Sequence, residues 1–502
     1  MSERFHYSTE NLRRKALRGG AITMASTLLQ RILGLVILAV LARLLSPQEY
    51  GLLGMVFVVT SFLAIFSDMG LSLATIQKAD ITRDQISNLF WINLLLGVLL
   101  GAFTALAAPG IAAFYGRPEL VTISLFCAIN FPLASLGALQ GALLQRRMAF
   151  GRMTLAEGAG LIAGGAAGIL LAWYGAGVYA LVAQQLTKTL LTTLGRWVFT
   201  GWRPRLWTSR AGVGSMIRFG GFVTGYNVVN CFSRNFDKIL LGRFCGAVLL
   251  GLYTRAYVLM TFPIQLISLP VSQVMIPTLS SLQNDLPRLR KTYLHSIRIL
   301  AFISFPIMGY LILVGDEILV LLYGAKWHDA GSIFRILCIA GLWQGIYNST
   351  GQLFIVSGRT DRQLKAGLGM ALLLGMAFLL GVSGGAQGVA VAYVIAFHIG
   401  LIPFVKYAYG TVGLRLIDVL RILAPLLLSV GASLPLTLVS NIVLVKGSSL
   451  PVRVSVVFIV MAGQYLIFSG LLHRNIVRKV SHFGTESLLA HKRRIGVGRT
   501  CE

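Results

Sequence analysis

Charge is what this sequence has least of. Only 12% of its 502 residues are Asp, Glu, Lys or Arg, about half the share of a soluble domain. Hydrophobic residues make up 56%, and the mean hydropathy is +0.77. Acid is scarcer still, with 17 Asp and Glu against 44 Lys and Arg, a net charge of +27. No G-x-x-x-x-G-K-S/T loop is present, which excludes a P-loop ATPase, and neither H-E-x-x-H nor G-x-S-x-G occurs. The 5 cysteines include no C-x-x-C pair, so neither a disulfide framework nor a metal site is expected. They read as small core residues.

What is there is a succession of apolar runs. Each has about 20 to 25 residues, the length a helix needs to cross hydrocarbon. The expected fold is all-α and polytopic, with about 14 transmembrane helices between Ala21 and Leu472. The two least regular runs are the short pair around Gly384 and the Pro-containing run after Leu250. The first run, Ala21 to Leu45, follows Arg13, Arg14, Lys15 and Arg18 and is too long for a signal peptide, so it reads as a first span.

An even number of spans puts both ends on one side, and the charges choose the side. With the N-terminus cytoplasmic, about 31 of the 44 basic residues fall inside and about 4 outside. The outer four are Arg117, Lys326, Lys446 and Arg453. This asymmetry disposes of most of the net charge beside anionic lipid, without nucleic acid. The outward acidic residues Glu49, Glu119, Asp316, Glu317 and Asp329 form no convincing acid–base pair. All loops are short, which argues against a membrane polymerase or ligase with a catalytic external domain.

A faint repeat runs through the chain. Gly19–Gly20, Arg43 and Gly51–Leu52 recur about 200 residues on as Gly220–Gly221, Arg243 and Gly251–Leu252, and Cys127 with Arg147 recurs as Cys338 with Arg359. Six spans separate the copies, so the repeat is parallel. The expected organisation is a basic cytoplasmic N-terminus (1–20), an N-lobe of spans one to six (21–200) and a cytoplasmic linker (201–218). A C-lobe of spans seven to twelve (219–408), an extra helix pair (409–472) and a basic cytoplasmic tail (473–502) follow. Gly160, Gly164 and Gly168, four apart inside one span, read as helix-packing residues.

Charges inside spans are the strongest functional signal, because each is costly against lipid. Arg43, Arg196, Arg243, Arg255 and Arg335 lie near span ends and can snorkel, and Glu157 sits near the start of its span. Arg31, Lys188, Arg234 and Lys238 lie deeper. Thr23, Thr27, Gln30, Arg31 and Gly34 form one polar stripe on the first span; Asn227, Asn230, Arg234 and Asp237 or Lys238 form another on the seventh. Two such stripes point to a central cationic cavity. The alternative is a set of buried salt bridges, for example Asp237 with Lys238 or Arg234. A cationic cavity wants an anionic cargo, and a lipid pyrophosphate carrying sugar fits. Arg forks bind phosphate in bidentate fashion, and Gln30, Asn227 and Asn230 offer amides to sugar.

Several motifs carry a resemblance. Leu45-Ser-Pro-Gln-Glu-Tyr-Gly-Leu-Leu-Gly54 and Asp68-Met-Gly-Leu-Ser-Leu-Ala-Thr-Ile-Gln77 resemble the first turn and second span of Wzx-type polysaccharide flippases. Asp237-Lys-Ile-Leu-Leu-Gly242 and Leu250-Gly-Leu-Tyr-Thr-Arg-Ala256 are similar to their seventh and eighth spans. Leu322-Tyr-Gly-Ala-Lys-Trp327 resembles the subgroup linked to colanic acid, xanthan and succinoglycan export. The resemblance covers roughly residues 15 to 470.

It implies the multidrug/oligosaccharidyl-lipid/polysaccharide exporter superfamily, with two six-helix lobes in a V and an extra C-terminal helix pair. The implied activity is alternating-access transfer of undecaprenyl-pyrophosphate-linked repeat units across the bacterial inner membrane. The implied cofactor is none, with energy from a proton or sodium gradient or the membrane potential; Asp68 and Asp237 are candidate ion-coupling residues. Membrane lipids are implied partners, with polysaccharide polymerase and export proteins beside them. A lipid II or drug exporter of the same superfamily is the nearest alternative; drug exporters handle cations, which a cationic cavity opposes.

Overall fold

A computed structural model of the chain describes residues 12–472, apart from 79, 209–234 and 445–447. Among the described residues there are helices and no strand. Eleven segments are long and apolar enough to cross a membrane. One of them, Thr360–Val412, is two helices, Thr360–Gly381 and Gly385–Val412, parted by a single turn at Val382–Gly384. This is the short pair expected around Gly384. Val178–Thr200 has the length of a span with 23 residues but is too polar to count among the eleven. Most of the seventh expected span falls outside the described residues.

The first helices are α1 (Leu12–Leu44), α2 (Pro47–Asp68), α3 (Leu71–Gln77) and α4 (Arg83–Tyr115). Next come α5 (Leu120–Ala128), α6 (Asn130–Arg146), α7 (Phe150–Trp173) and α8 (Val178–Thr200). Local chemistry sets their ends. Pro47 opens α2, where its missing N–H costs nothing, and the N–H and hydroxyl of Ser46 both donate to Glu49 Oε2, at 2.6 and 2.9 Å. Thr82 and Gln85 form the reciprocal box that starts α4. The second span is broken where Met69 and Gly70 both take left-handed conformations (φ 41° and 66°). Asp68 stabilises the restart: Ser72 donates to it from its N–H at 3.3 Å and its hydroxyl at 2.6 Å.

Contacts divide the chain into two compact units. Of the described residues, one holds those up to 256 together with 322–333 and 367–396. In it the glycines at 160, 164 and 168 form the expected packing seam of α7 on α8. A Cβ at Gly164 would sit 2.6 Å from the Gln184 carbonyl oxygen, and one at Gly160 2.7 Å from that of Lys188. Asn88 of α4 brackets Thr208, donating to its carbonyl at 2.7 Å and accepting from its N–H at 3.0 Å. The first residues after α8 are therefore tied back to α4.

The other unit holds, of the described residues, 257–321, 334–366 and those from 397 to 472. Its last two helices, Leu416–Leu444 and Leu450–Leu472, pack on Leu286–Leu313. Tyr310 donates to the Val454 carbonyl at 2.8 Å and Tyr465 to that of Phe302 at 3.0 Å. Asp316 and Glu317 are held in ion pairs with Arg335 (3.0 Å) and Arg453 (3.3 Å).

Candidate functional site

The first unit contains a cavity of about 560 Å³ bounded by α1, α6, α7 and α8. α1 contributes Thr27, Gln30, Arg31 and Gly34, four members of the stripe read from the sequence. α8 contributes a second stripe, Lys188, Thr189, Thr192, Thr193 and Arg196, again at spacings of three and four. α7 adds Glu157 and Leu161, and α6 adds Ala134. The glycine seam lets α8 lie against α7 closely enough to turn this stripe toward α1.

Three cations and one carboxylate line this space. Arg196 Nη2 meets Glu157 Oε1 at 3.0 Å, with the two side chains 24% and 34% exposed. Lys188 is exposed and Arg31 half-buried. From Lys188 to Arg196 is eight residues along one helix face, about 12 Å. The hydroxyls and amides are held in place by bonds to backbone and to one another. Thr189 donates to Asn130 Oδ1 at 2.7 Å, Thr193 to the Leu133 carbonyl at 3.0 Å and Gln30 to the Thr154 carbonyl at 3.1 Å. Thr192 Oγ1 is buried with no hydrogen-bond partner among the described residues.

The structure thus brings Gln30, Arg31 and Lys188 together. Arg234, Asn227 and Asn230 lie outside the described residues. Lys238 is elsewhere; its Nζ donates to Asn235 Oδ1 at 2.9 Å. Asp237 is buried, accepting from Tyr253 at 2.9 Å and from the Lys238 N–H at 2.8 Å. Asp68 and Asp237 do not line the cavity. Two residues read as span-end charges belong to it: Arg196 does not snorkel freely but pairs with Glu157. The signal was present in the α8 spacing, where Thr189, Thr192, Thr193 and Arg196 continue the face begun by Lys188.

A second region of the same unit has the opposite character. Around the turn between α1 and α2, Trp327 is fully buried and donates from Nε1 to the Ala42 carbonyl at 2.8 Å. Its ring meets Tyr50 edge-on at 5.4 Å and Tyr323 at 5.7 Å. Arg255 lies 4.4 Å over the Tyr50 ring, so it too is packed rather than snorkelling. Lys326 Nζ donates to the carbonyls of Arg43 and Leu44, both at 3.3 Å. Gly51 and Gly251, paired in the expected repeat, make a reciprocal crossing. A Cβ on Gly51 would overlap the Ala247 carbonyl, and one on Gly251 would overlap the Pro47 carbonyl.

A family model described as "Polysaccharide biosynthesis protein" matches residues 40–332. The chain belongs to this family. The Wzx-type resemblance read from the motifs is borne out. The chain is similar to the teichuronic acid biosynthesis protein TuaB of Bacillus subtilis (strain 168), 31% identical over 402 residues, 80% of this chain and 82% of that one. It is similar to the lipopolysaccharide biosynthesis protein WzxC of Escherichia coli (strain K12), 26% identical over 391 residues, 77% of this chain and 79% of that one. In fold it is like the lipid II flippase MurJ in its inward closed conformation, with a TM-score of 0.73 at 17% identity, over 91% of this chain and all of that one. As a family member with these helices, it is a multi-pass membrane protein. The matched stretch takes in every residue of the Trp327 region, whereas Gln30 and Arg31 lie just before it.

Proposed function

We propose that this protein flips undecaprenyl-pyrophosphate-linked oligosaccharide repeat units from the cytoplasmic to the periplasmic leaflet of the bacterial inner membrane. The cavity carries this reading: three cations against one carboxylate, beside a row of hydroxyls and amides, suit a diphosphate joined to sugar. Arg31 and Lys188 take the phosphates, Arg by its planar fork and Lys as a point charge. Gln30 and the threonines of α8 meet the sugar hydroxyls. Relatives named for teichuronic acid and lipopolysaccharide biosynthesis support a polysaccharide precursor as cargo.

The protein acts as a transporter without covalent chemistry. Both termini are cytoplasmic on the charge pattern, which puts the Arg196 end of the cavity toward the cytoplasm and the Trp327 region outside. Alternating access then means opening the Trp327 region while the cytoplasmic end closes. Coupling is to a proton or sodium gradient, with Asp68 and Asp237 as candidate ion residues, and polymerase and export proteins take the cargo onward.

The test is flipping in proteoliposomes with export complementation alongside. Arg31→Ala and Lys188→Ala should each lower transport at least tenfold at normal membrane levels. Arg31→Lys should be impaired less than Arg31→Ala. Full export by well-expressed Arg31→Ala and Lys188→Ala proteins would refute the reading.

A further inference from the structure

Glu157 is the one carboxylate among the residues that line the cavity, and it faces the cations of every helix there that bears one: Arg31 on α1, and Lys188 and Arg196 on α8. Its bond to Arg196 engages Nη2 only. The Nε of Arg196 is buried with no hydrogen-bond partner among the described residues. The rest of the guanidinium lies against Gly141 of α6, where a Cβ would sit 3.2 Å from Nη1 and 3.4 Å from Nε, so the pair is held through one nitrogen alone. The pair is also partly exposed, which makes it cheap to exchange. The glycine seam packs α7 directly on α8, so their contact does not rest on this ion pair alone.

We propose that Glu157 is an exchangeable counter-charge for the anionic head group. In the empty cavity Glu157 holds Arg196 in the cargo's place. An arriving diphosphate takes Arg196 over from Glu157, and Glu157 is left beside an anion of like charge. That repulsion limits affinity and favours release, because Glu157 regains Arg196 when the cargo leaves. The cost falls on binding and the benefit on turnover. This rests on the reading of the cavity as the head-group site.

Glu157→Gln keeps the shape and removes the charge, so binding and transport should move in opposite directions. The experiment uses the full chain in lipid nanodiscs with inorganic pyrophosphate as probe, followed by flipping in proteoliposomes. Glu157→Gln should bind pyrophosphate about tenfold tighter than the wild type, a change of about 1.4 kcal/mol. Its maximal flipping rate should fall. Glu157→Asp, which retains the charge on a stem one methylene shorter, should gain less affinity than Glu157→Gln. Glu157→Met, uncharged and without polar atoms, should tighten binding as Gln does, which covers the case of a poorly folded Gln variant. A purely structural pair predicts lower unfolding temperatures and no gain in affinity. Equal or weaker binding by both uncharged variants, while Lys188→Ala still weakens it, overturns the counter-charge alone. Pyrophosphate binding that ignores Arg31→Ala and Lys188→Ala overturns the head-group reading together with it.

Discussion

The cavity between α1 and α8 and the Trp327 region are built from opposite materials. The cavity has flexible cations, hydroxyls and one monodentate ion pair around about 560 Å³ of open space. The Trp327 region has two edge-on ring contacts, two glycines set directly against backbone carbonyls and a fully buried tryptophan. Water and exchangeable partners suit a place where cargo comes and goes. Dry contact between backbones suits a seal, because interfaces packed to that density are held together or apart, with little between. A transporter needs both: a site that yields gradually and a closure that does not.

The sharpest way to break this contrast is to add bulk at the glycine crossing. Gly51→Val or Gly251→Val would drive side-chain carbon into the backbone of Ala247 or Pro47, an overpacking that has no soft neighbour to absorb it. Export should be lost, at least a hundredfold in complementation. Thiol labelling of a cysteine placed at Ala42 should rise, since the region can no longer close. By contrast Gly34→Ala, in the cavity wall with nothing within 4 Å of the added carbon, should leave export within about threefold. If both substitutions were tolerated equally, the two regions would not differ as described.

How far the sequence showed this in advance depends on which kind of contact is asked about. Run lengths gave the spans, because burial in lipid is read one residue at a time. The α1 stripe was visible because Thr27, Gln30 and Arg31 share one face of one helix. Gly51 and Gly251 could be paired in the sequence, but not that each packs on the backbone of the other's helix. The partnership of Glu157 with Arg196 was hidden, since 39 residues separate them and only the helix crossing set by the glycine seam brings them together. The break at Met69 was hidden too: a non-glycine residue at φ 41° follows no local rule. Arg255 read as a snorkelling end charge because nothing in its own span announces the Tyr50 ring beneath it.

A smaller perturbation sharpens the comparison on the sealed side. Trp327→Phe keeps an aromatic ring between Tyr50 and Tyr323 but removes the donor to the Ala42 carbonyl. A net hydrogen bond is worth about 1 kcal/mol, more when the orphaned acceptor stays buried. That corresponds to about a fivefold shift in the balance between closed and open forms. Export should fall by a similar factor, and labelling at Ala42 should rise less than with Gly51→Val. Trp327→Ala, which also removes the ring, should fall between the two.

The smallest effect is expected at Arg43, which lies beside the Trp327 region yet differs in exposure. Its Nε reaches the Leu322 carbonyl at 3.2 Å, and the residue is exposed. A group in that position can trade its bond for water with little loss, and its stem can reach the membrane surface. Arg43→Ala should therefore keep export within about twofold of the wild type. Arg255→Ala, which uncovers the buried Tyr50 ring it packs on at 4.4 Å, should cost more, since a desolvated cation–aromatic contact is worth more than an exposed one. Complementation of the two variants side by side, at matched protein levels, measures the difference. A larger loss at Arg43 than at Arg255 would mean that the seal is held by its rim and not by its packed interior.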